Sequence, residues 1–196
     1  MMSIKIGIAG PVGSGKTSLI ASLTNMLKKD YTVGIVTNDI YTTEDANYLK
    51  NHLDINPELV IGVETGGCPH TAIRDDISMN QTACDELETT FEPDIIFVES
   101  GGDNLSATFS YELVDYYMYI IDVAQGGDIP RKKGAGLLFS DLLVINKTDL
   151  APYVDVDLNT MTTDVKNNRQ NKPYLFISNK DTKSMENLYE WVVALL

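Results

Sequence analysis

Gly10-Pro11-Val12-Gly13-Ser14-Gly15-Lys16-Thr17 fits the pattern G-x-x-x-x-G-K-[ST] at every fixed position. An apolar run from Ile4 to Ala9 precedes it and reads as a strand. From Thr17 to Lys29, Leu19, Ile20, Leu23, Met26 and Leu27 recur at helical spacing. Strand, glycine loop and helix in that order are the setting in which the pattern binds phosphate; a chance glycine-rich turn lacks them. Glycines let the backbone wrap around phosphate oxygens with its N–H groups inward. The helix N-terminus, where Ser18 follows Thr17, adds partial positive charge. Lys16 is suited to bridge the β- and γ-phosphates, and the Thr17 hydroxyl to ligate Mg²⁺.

Outward from this loop, short apolar runs alternate with helical patterns. Strands are expected at Tyr31 to Thr37, Leu59 to Val63, Ile95 to Glu99, Tyr117 to Asp122, Leu142 to Asn146 and Tyr174 to Ile177. Helices are expected at Glu44 to Asn51, Ile73 to Thr90, Thr160 to Asn168 and Ser184 to Leu196. The strands are continuous apolar runs, the mark of burial on both faces. The expected fold is therefore α/β: a P-loop NTPase with a mainly parallel sheet flanked by helices on both faces. The 196 residues show no repeat and no linker, so one domain spanning 1–196 is expected.

Asn146-Lys147-Thr148-Asp149 follows the strand Leu142 to Ile145 and selects a base. A carboxylate only accepts hydrogen bonds. Guanine offers N1–H and a 2-amino group side by side and satisfies both oxygens of Asp149. Adenine leaves the carboxylate unmet, at a cost of about 1–3 kcal/mol. Asn146 would support the loop and reach the purine N7, and the Lys147 stem would lie over the base. Ser178-Asn179-Lys180 is a second candidate for contacting guanine, or else a polar turn.

Glu99 closes an apolar strand and is followed by Ser100, Gly101 and Gly102. A carboxylate at a strand's carboxyl end is placed to hold Mg²⁺ through water, and Gly101 or Gly102 to offer an N–H to the γ-phosphate. Asp39 is a second carboxylate at a strand end. Either acid also reads as a plain turn residue. Lys16, Asp39 and Glu99 are the catalytic candidates. No glutamine follows Gly102 where it could orient water, and no arginine finger is evident, so slow intrinsic hydrolysis is expected.

Cys68-Pro69-His70 puts a thiolate and an imidazole two residues apart, a pair that suits Ni²⁺, Zn²⁺ or Cu²⁺. Two ligands do not close a site, but a two-fold dimer would supply four. A lone C-x-H in a glycine-rich loop also has a purely structural reading. His52 reads as surface and Cys84 as core.

The formal charge of −13 disfavours nucleic acid as a partner. No apolar run approaches the roughly 20 residues of a membrane helix, and the N-terminal residues read as strand instead of signal peptide. With only two cysteines, a reducing, cytoplasmic setting is expected.

GPVGSGKT (10–17), TNDIYTTEDA (37–46), GVETGGCPHTAIRDDISMN (62–80), ESGGDNLSATFS (99–110), IDVAQGGDIPRKKG (121–134) and LLVINKTDLAPYV (142–154) together resemble the urease accessory G-protein family. The resemblance covers nearly the whole chain. It implies a GTP-hydrolysing nickel metallochaperone that assists GTP-dependent delivery of Ni²⁺ to the urease active site. It implies a homodimer, promoted by GTP and Ni²⁺, in which Cys68 and His70 of each subunit hold one shared nickel. Urease and other urease accessory proteins are the implied partners. It also places Thr17, Asp39 and Glu64 around Mg²⁺. Because Glu64 lies four residues before Cys68, γ-phosphate and Mg²⁺ are expected to order the Glu64 to His70 loop and so assemble the nickel site. The alternative is a hydrogenase-type nickel-insertion GTPase. A small-molecule kinase would share the phosphate loop, but NKTD points to guanine.

Overall fold

The computed structural model describes residues 3–39, 43–67, 69–102 and 105–196. In chain order the elements are β1 (Ile4–Ala9), α1 (Lys16–Leu27), β2 (Val33–Asp39), α2 (Glu44–His52), β3 (Val60–Glu64), α3 (Pro69–Arg74), α4 (Ser78–Phe91), β4 (Ile95–Glu99), β5 (Tyr116–Asp122), α5 (Ala135–Phe139), β6 (Leu142–Asn146), α6 (Leu158–Arg169), β7 (Tyr174–Phe176) and α7 (Thr182–Val193). The seven strands form one sheet in the order β3-β2-β4-β1-β5-β6-β7. Every pairing is parallel.

Alternate residues of each strand feed opposite cores, as the two-residue period of a strand demands. Val36, Val98, Tyr119 and Ile145 face one side, where Ile73 of α3, Leu87 of α4, Leu137 of α5 and Val165 of α6 cover them. Ile35, Phe97, Ile120 and Val144 face the other, against Leu19 and Leu23 of α1, Leu49 of α2 and Leu188 of α7. All five residues of β4 are buried, and so are all five of β6. The continuous apolar runs thus have the origin expected of them.

The helix expected from Ile73 to Thr90 is two helices. The Asp75 and Asp76 amides both turn back to the Thr71 carbonyl, at 2.9 and 2.8 Å. Asp76 then accepts from the Ser78 hydroxyl at 2.6 Å and the Ser78 amide at 3.3 Å. An aspartate holding the backbone two residues on competes with helix propagation, and the chain restarts at Ser78. The first of the two helices opens on Pro69, whose missing N–H costs nothing in a first turn. The polar stretch near Thr160 does form a helix, from Leu158. Asp157 caps it, accepting from the amides of Asn159 and Thr160 at 3.1 Å each. No helix among the described residues is long and apolar enough to cross a membrane.

Arg169, at the end of α6, is a structural group that sequence reading passed over. It is 2% exposed. It donates to the Leu137 carbonyl, to the Ser140 hydroxyl and carbonyl at 2.9 Å each, and to the Pro173 carbonyl at 3.0 Å. Burial pulls its guanidinium down to about 10, so it remains charged at neutral pH. It satisfies carbonyls at the end of α5 in the interior and adds a second donor to the Pro173 carbonyl, which the Leu143 amide also reaches at 3.2 Å. Arg169→Ala should destabilise the fold by about 2–4 kcal/mol, read as a lower urea midpoint. Arg169→Lys should recover only part, because an ammonium cannot fork across these acceptors.

Candidate functional site

Because all strands run the same way, their carboxyl ends share one edge, and the loops that carry chemistry meet there. The phosphate loop leaves β1 at Ala9 and enters α1 at Lys16. The Ser14 amide closes a turn onto the Pro11 carbonyl at 3.1 Å. Lys16 is 7% exposed, and its ammonium donates to the carbonyls of Gly10 at 3.0 Å and Pro11 at 3.3 Å. Gly15 has a φ of 94°, and a Cβ there would stand 2.6 Å from Asn146 Nδ2. Only glycine lets the base-side loop come so close.

In front of this loop lies a cavity of about 460 Å³. Gly13, Gly15, Lys16, Thr17 and Ser18 line one wall, and Asp39, Asp45, Glu99, Gly101 and Gly102 another. A Cβ on Gly102 would meet Val12 at 2.0 Å, so the segment after β4 packs directly on the phosphate loop. The register sets Glu99 beside Ile8 on one side and Thr37 on the other.

The Thr17 hydroxyl lies 2.7 Å from Glu99 Oε1 and 3.1 Å from Asp45 Oδ1, and its one hydrogen serves one of them. Glu99 is 1% exposed. Burial, then the neighbouring Asp45 charge, pushes its carboxyl up to about 7, while Lys16 works the other way. Its Oε2 is buried with no hydrogen-bond partner among the described residues. A hydroxyl beside carboxylates, one of them with an oxygen unmet, suits a hard divalent cation, and Mg²⁺ needs only one or two protein carboxylates besides water and phosphate. Among the described residues no three His, Cys, Asp or Glu side chains gather as a ready metal cage.

Asp45, in the first turn of α2, was not singled out from the sequence; an acid there looks like an ordinary response to the helix dipole. Glu64 ends β3 at the sheet edge, in register with Asp39. It is exposed and lines a separate depression with Thr43 and Met79, away from the phosphate cavity.

A second cavity, about 230 Å³, adjoins the first through Gly15, Ser18 and Lys147. Asn146 is 3% exposed; it donates to the Ser14 carbonyl at 3.0 Å and accepts from the Lys147 amide at 2.7 Å. Lys147 takes a left-handed φ of 58° and returns its ammonium to the Gly13 carbonyl and to Asp122 Oδ2 at 3.1 Å. Asp122, in register with Asn146, was also missed by sequence reading, although its place at the end of an apolar strand was the available signal. Asp149 accepts from the Ser178 hydroxyl at 2.7 Å and the Lys180 ammonium at 2.9 Å. Lys180, then Ser178, hold its carboxyl below the usual range. The tripeptide Ser178-Asn179-Lys180 therefore lines the same cavity as Asn146, Lys147 and Asp149.

His70 sits half-buried in α3. Its expected partner Cys68 lies outside the described residues. Just upstream, the Thr65 amide and hydroxyl both donate to the Asp39 carbonyl, at 2.9 and 3.2 Å. His52 is exposed and Cys84 fully buried, as expected.

Glu99 yields a pH dependence. The folded chain keeps this proton up to about pH 7, while an ordinary carboxyl loses it near 4.5. Between those values the folded state binds more protons, so its stability falls as pH rises through the window. In chelator-treated protein, Glu99→Gln should gain on wild type across that range, by about 3 kcal/mol at most. Urea midpoints at pH 5 and pH 8 measure it; equal slopes for the two proteins would contradict it.

Comparison with known proteins bears on this geometry. The sequence profile described as CobW/HypB/UreG, nucleotide-binding domain, matches residues 4–176. Urease accessory protein UreG of Aliarcobacter butzleri is 74% identical over 195 residues, covering all of both chains. Its counterpart in Lysinibacillus sphaericus is 58% identical, covering 98% of this chain and 92% of the relative. Among solved structures, HypB from Helicobacter pylori in complex with nickel superposes with a TM-score of 0.84 at 23% identity, covering 98% of this chain and 86% of that one. HypB from Archaeoglobus fulgidus gives 0.80, also at 23%, covering 98% and 90%. At that identity the structures speak for the fold alone, whereas the full-length sequence matches speak for ancestry. The chain belongs to the CobW/HypB/UreG family and, within it, to the urease accessory UreG proteins.

Proposed function

We propose that this chain is a single-domain cytoplasmic GTPase that hydrolyses GTP to GDP and phosphate and uses the cycle to help deliver Ni²⁺ to the urease active site. The observation that carries the proposal is the 74% identity, end to end, with a urease accessory protein. A purine cavity ending on Asp149 supports guanine as the base. The hydrogenase-type alternative has the weaker support, since likeness to HypB stands at 23% identity.

In this reading the loop from Gly10 to Ser18 grips the phosphates, and Lys16 offsets charge on the γ-phosphate as it leaves. Thr17 and the carboxylates of Asp39 and Glu99 would hold Mg²⁺, directly or through water, with Asp45 orienting the Thr17 hydroxyl. Mg²⁺ would supply neutralisation of the β- and γ-oxygens. Glu64 would enter this group only if the carboxyl end of β3 moved inward. Gly101 and Gly102 would sense the γ-phosphate through their N–H groups. Hydrolysis is slow without partners, because the sequence has no glutamine just after Gly102 to orient water and no evident arginine finger. Nickel is cargo, held between two copies by Cys68 and His70 of each. Other urease accessory proteins and urease are the partners; the chain's acidity argues against nucleic acid.

The lever is geometric. Thr65 hangs on the Asp39 carbonyl, so a change at Asp39 on binding nucleotide and Mg²⁺ is passed directly toward His70. Size-exclusion with metal analysis tests the proposal. Ni²⁺ with a non-hydrolysable GTP analogue should give a dimer holding one nickel per two chains, whereas GDP or Cys68→Ala should leave monomers. A monomer under every condition would sink it. Asp149→Ala should weaken GTP binding by about 10- to 100-fold while leaving ATP unchanged; equal ATP and GTP affinities in wild type would remove guanine from the account.

A further inference from the structure

Asn38 and Asn80 form a closed pair of side-chain amides in the interior, at 1% and 0% exposure. Asn38 Nδ2 donates to Asn80 Oδ1 at 2.8 Å and to the Glu99 carbonyl at 2.9 Å. Asn80 Nδ2 donates to Asn38 Oδ1 at 2.9 Å and to the Ala72 carbonyl at 2.9 Å. Each amide has two N–H donors, so all four are committed. The pair thereby joins the ends of β2 and β4 to α3, the helix that carries His70.

The two ends of this chain of bonds differ in kind. Asn38 lines the phosphate cavity and precedes Asp39, while the Glu99 carbonyl opens the glycine segment that packs on Val12. Ala72 lies two residues after His70. A second bond reaches the next carbonyl of the same helix: the Ser110 amide donates to Ile73 at 2.9 Å. Helix ends leave carbonyls without partners inside the helix, and here Asn80 and Ser110 supply them. A helix as short as α3 does not hold itself in place. Its position is fixed from outside, by groups that trace to the two ends of residues 99–110.

A buried polar network with every donor used has one good arrangement and is costly to leave half made. Movement of Asn38 or of the Glu99 carbonyl cannot be absorbed inside the pair and must pass to Ala72. We propose that Asn80 is a positioning residue that relays the state of the phosphate cavity to α3, and so sets nickel affinity by the bound nucleotide without touching nucleotide or metal. This rests on the nickel-and-GTP reading above, and adds a path distinct from Thr65.

The experiment is a nickel titration of wild type, Asn80→Ala and Asn80→Ser, each with Mg²⁺ and either GDP or a non-hydrolysable GTP analogue. Wild type should bind nickel more tightly with the analogue, in the range of about 5- to 150-fold usual for coupled sites. In the variants that ratio should shrink to about two-fold or less, with GDP affinity close to wild type. If Asn80 only packs the core, both nickel affinities fall together and the ratio survives, which overturns the relay. No ratio in wild type would sink the nickel-and-GTP reading as well; a wild-type ratio kept by the variants sinks the relay alone. Should neither variant fold, the side-chain NH₂ resonances of Asn38 and Asn80 in wild type decide: they must shift between GDP and analogue, and identical spectra overturn the proposal.

Discussion

Seven strands running in one direction can end in only one place. Each strand's last residue and the loop after it are delivered to a single edge, and the chemistry of this chain is confined there. The order β3-β2-β4-β1-β5-β6-β7 sets β1 in the middle, with three strands that end on Glu64, Asp39 and Glu99 on one side and β6, which leads into Asn146 to Asp149, on the other. The phosphate loop leaves β1 between them. Register does the rest: Glu99 stands level with Ile8, and Asp122 with Asn146, without any long-range side-chain contact being needed to align them.

Across that edge the loops are laced together by the residues that define them. Asn146 donates to the Ser14 carbonyl, Lys147 reaches Gly13 and Asp122, and Gly102 lies under Val12. The cavity beside Asp149 and the cavity in front of the glycine loop therefore share walls. On the opposite side, the Asp39 carbonyl and the Asn38 amide lead away toward α3. In the proposed function, base recognition would fall on the β6 flank and metal binding on the β3 flank, with the phosphate loop between them.

Much of this was legible in the sequence because it depends on local pattern. The glycine loop, the apolar strands and NKTD each carry their signal within a few residues. Where the pattern was partly hidden, the cause was a side chain acting on nearby backbone: Asp76 and Ser78 interrupt what looks like one helix from Ile73 to Thr90. Asp45, Arg169 and the Asn38–Asn80 pair were opaque for a different reason. Their partners lie 28, 29 and 42 residues away, and nothing in their own neighbourhoods distinguishes them from surface polar residues. Cys68 and His70 fall between these cases: the spacing left a metal pair and a plain structural loop both open, and only the resemblance favoured nickel.

The contact of Lys16 with the carbonyls of its own loop bears on how nucleotide arrives. A loop wrapped round its own ammonium is already shaped as a cradle, so little backbone entropy remains to be lost when phosphate enters. In the proposed function, capture would be an exchange of partners, in which the lysine gives up the Gly10 and Pro11 carbonyls for anionic oxygens. In the proposed cycle the glycine loop would thus be shaped in advance, and the conformational work would fall to the segments that flank it.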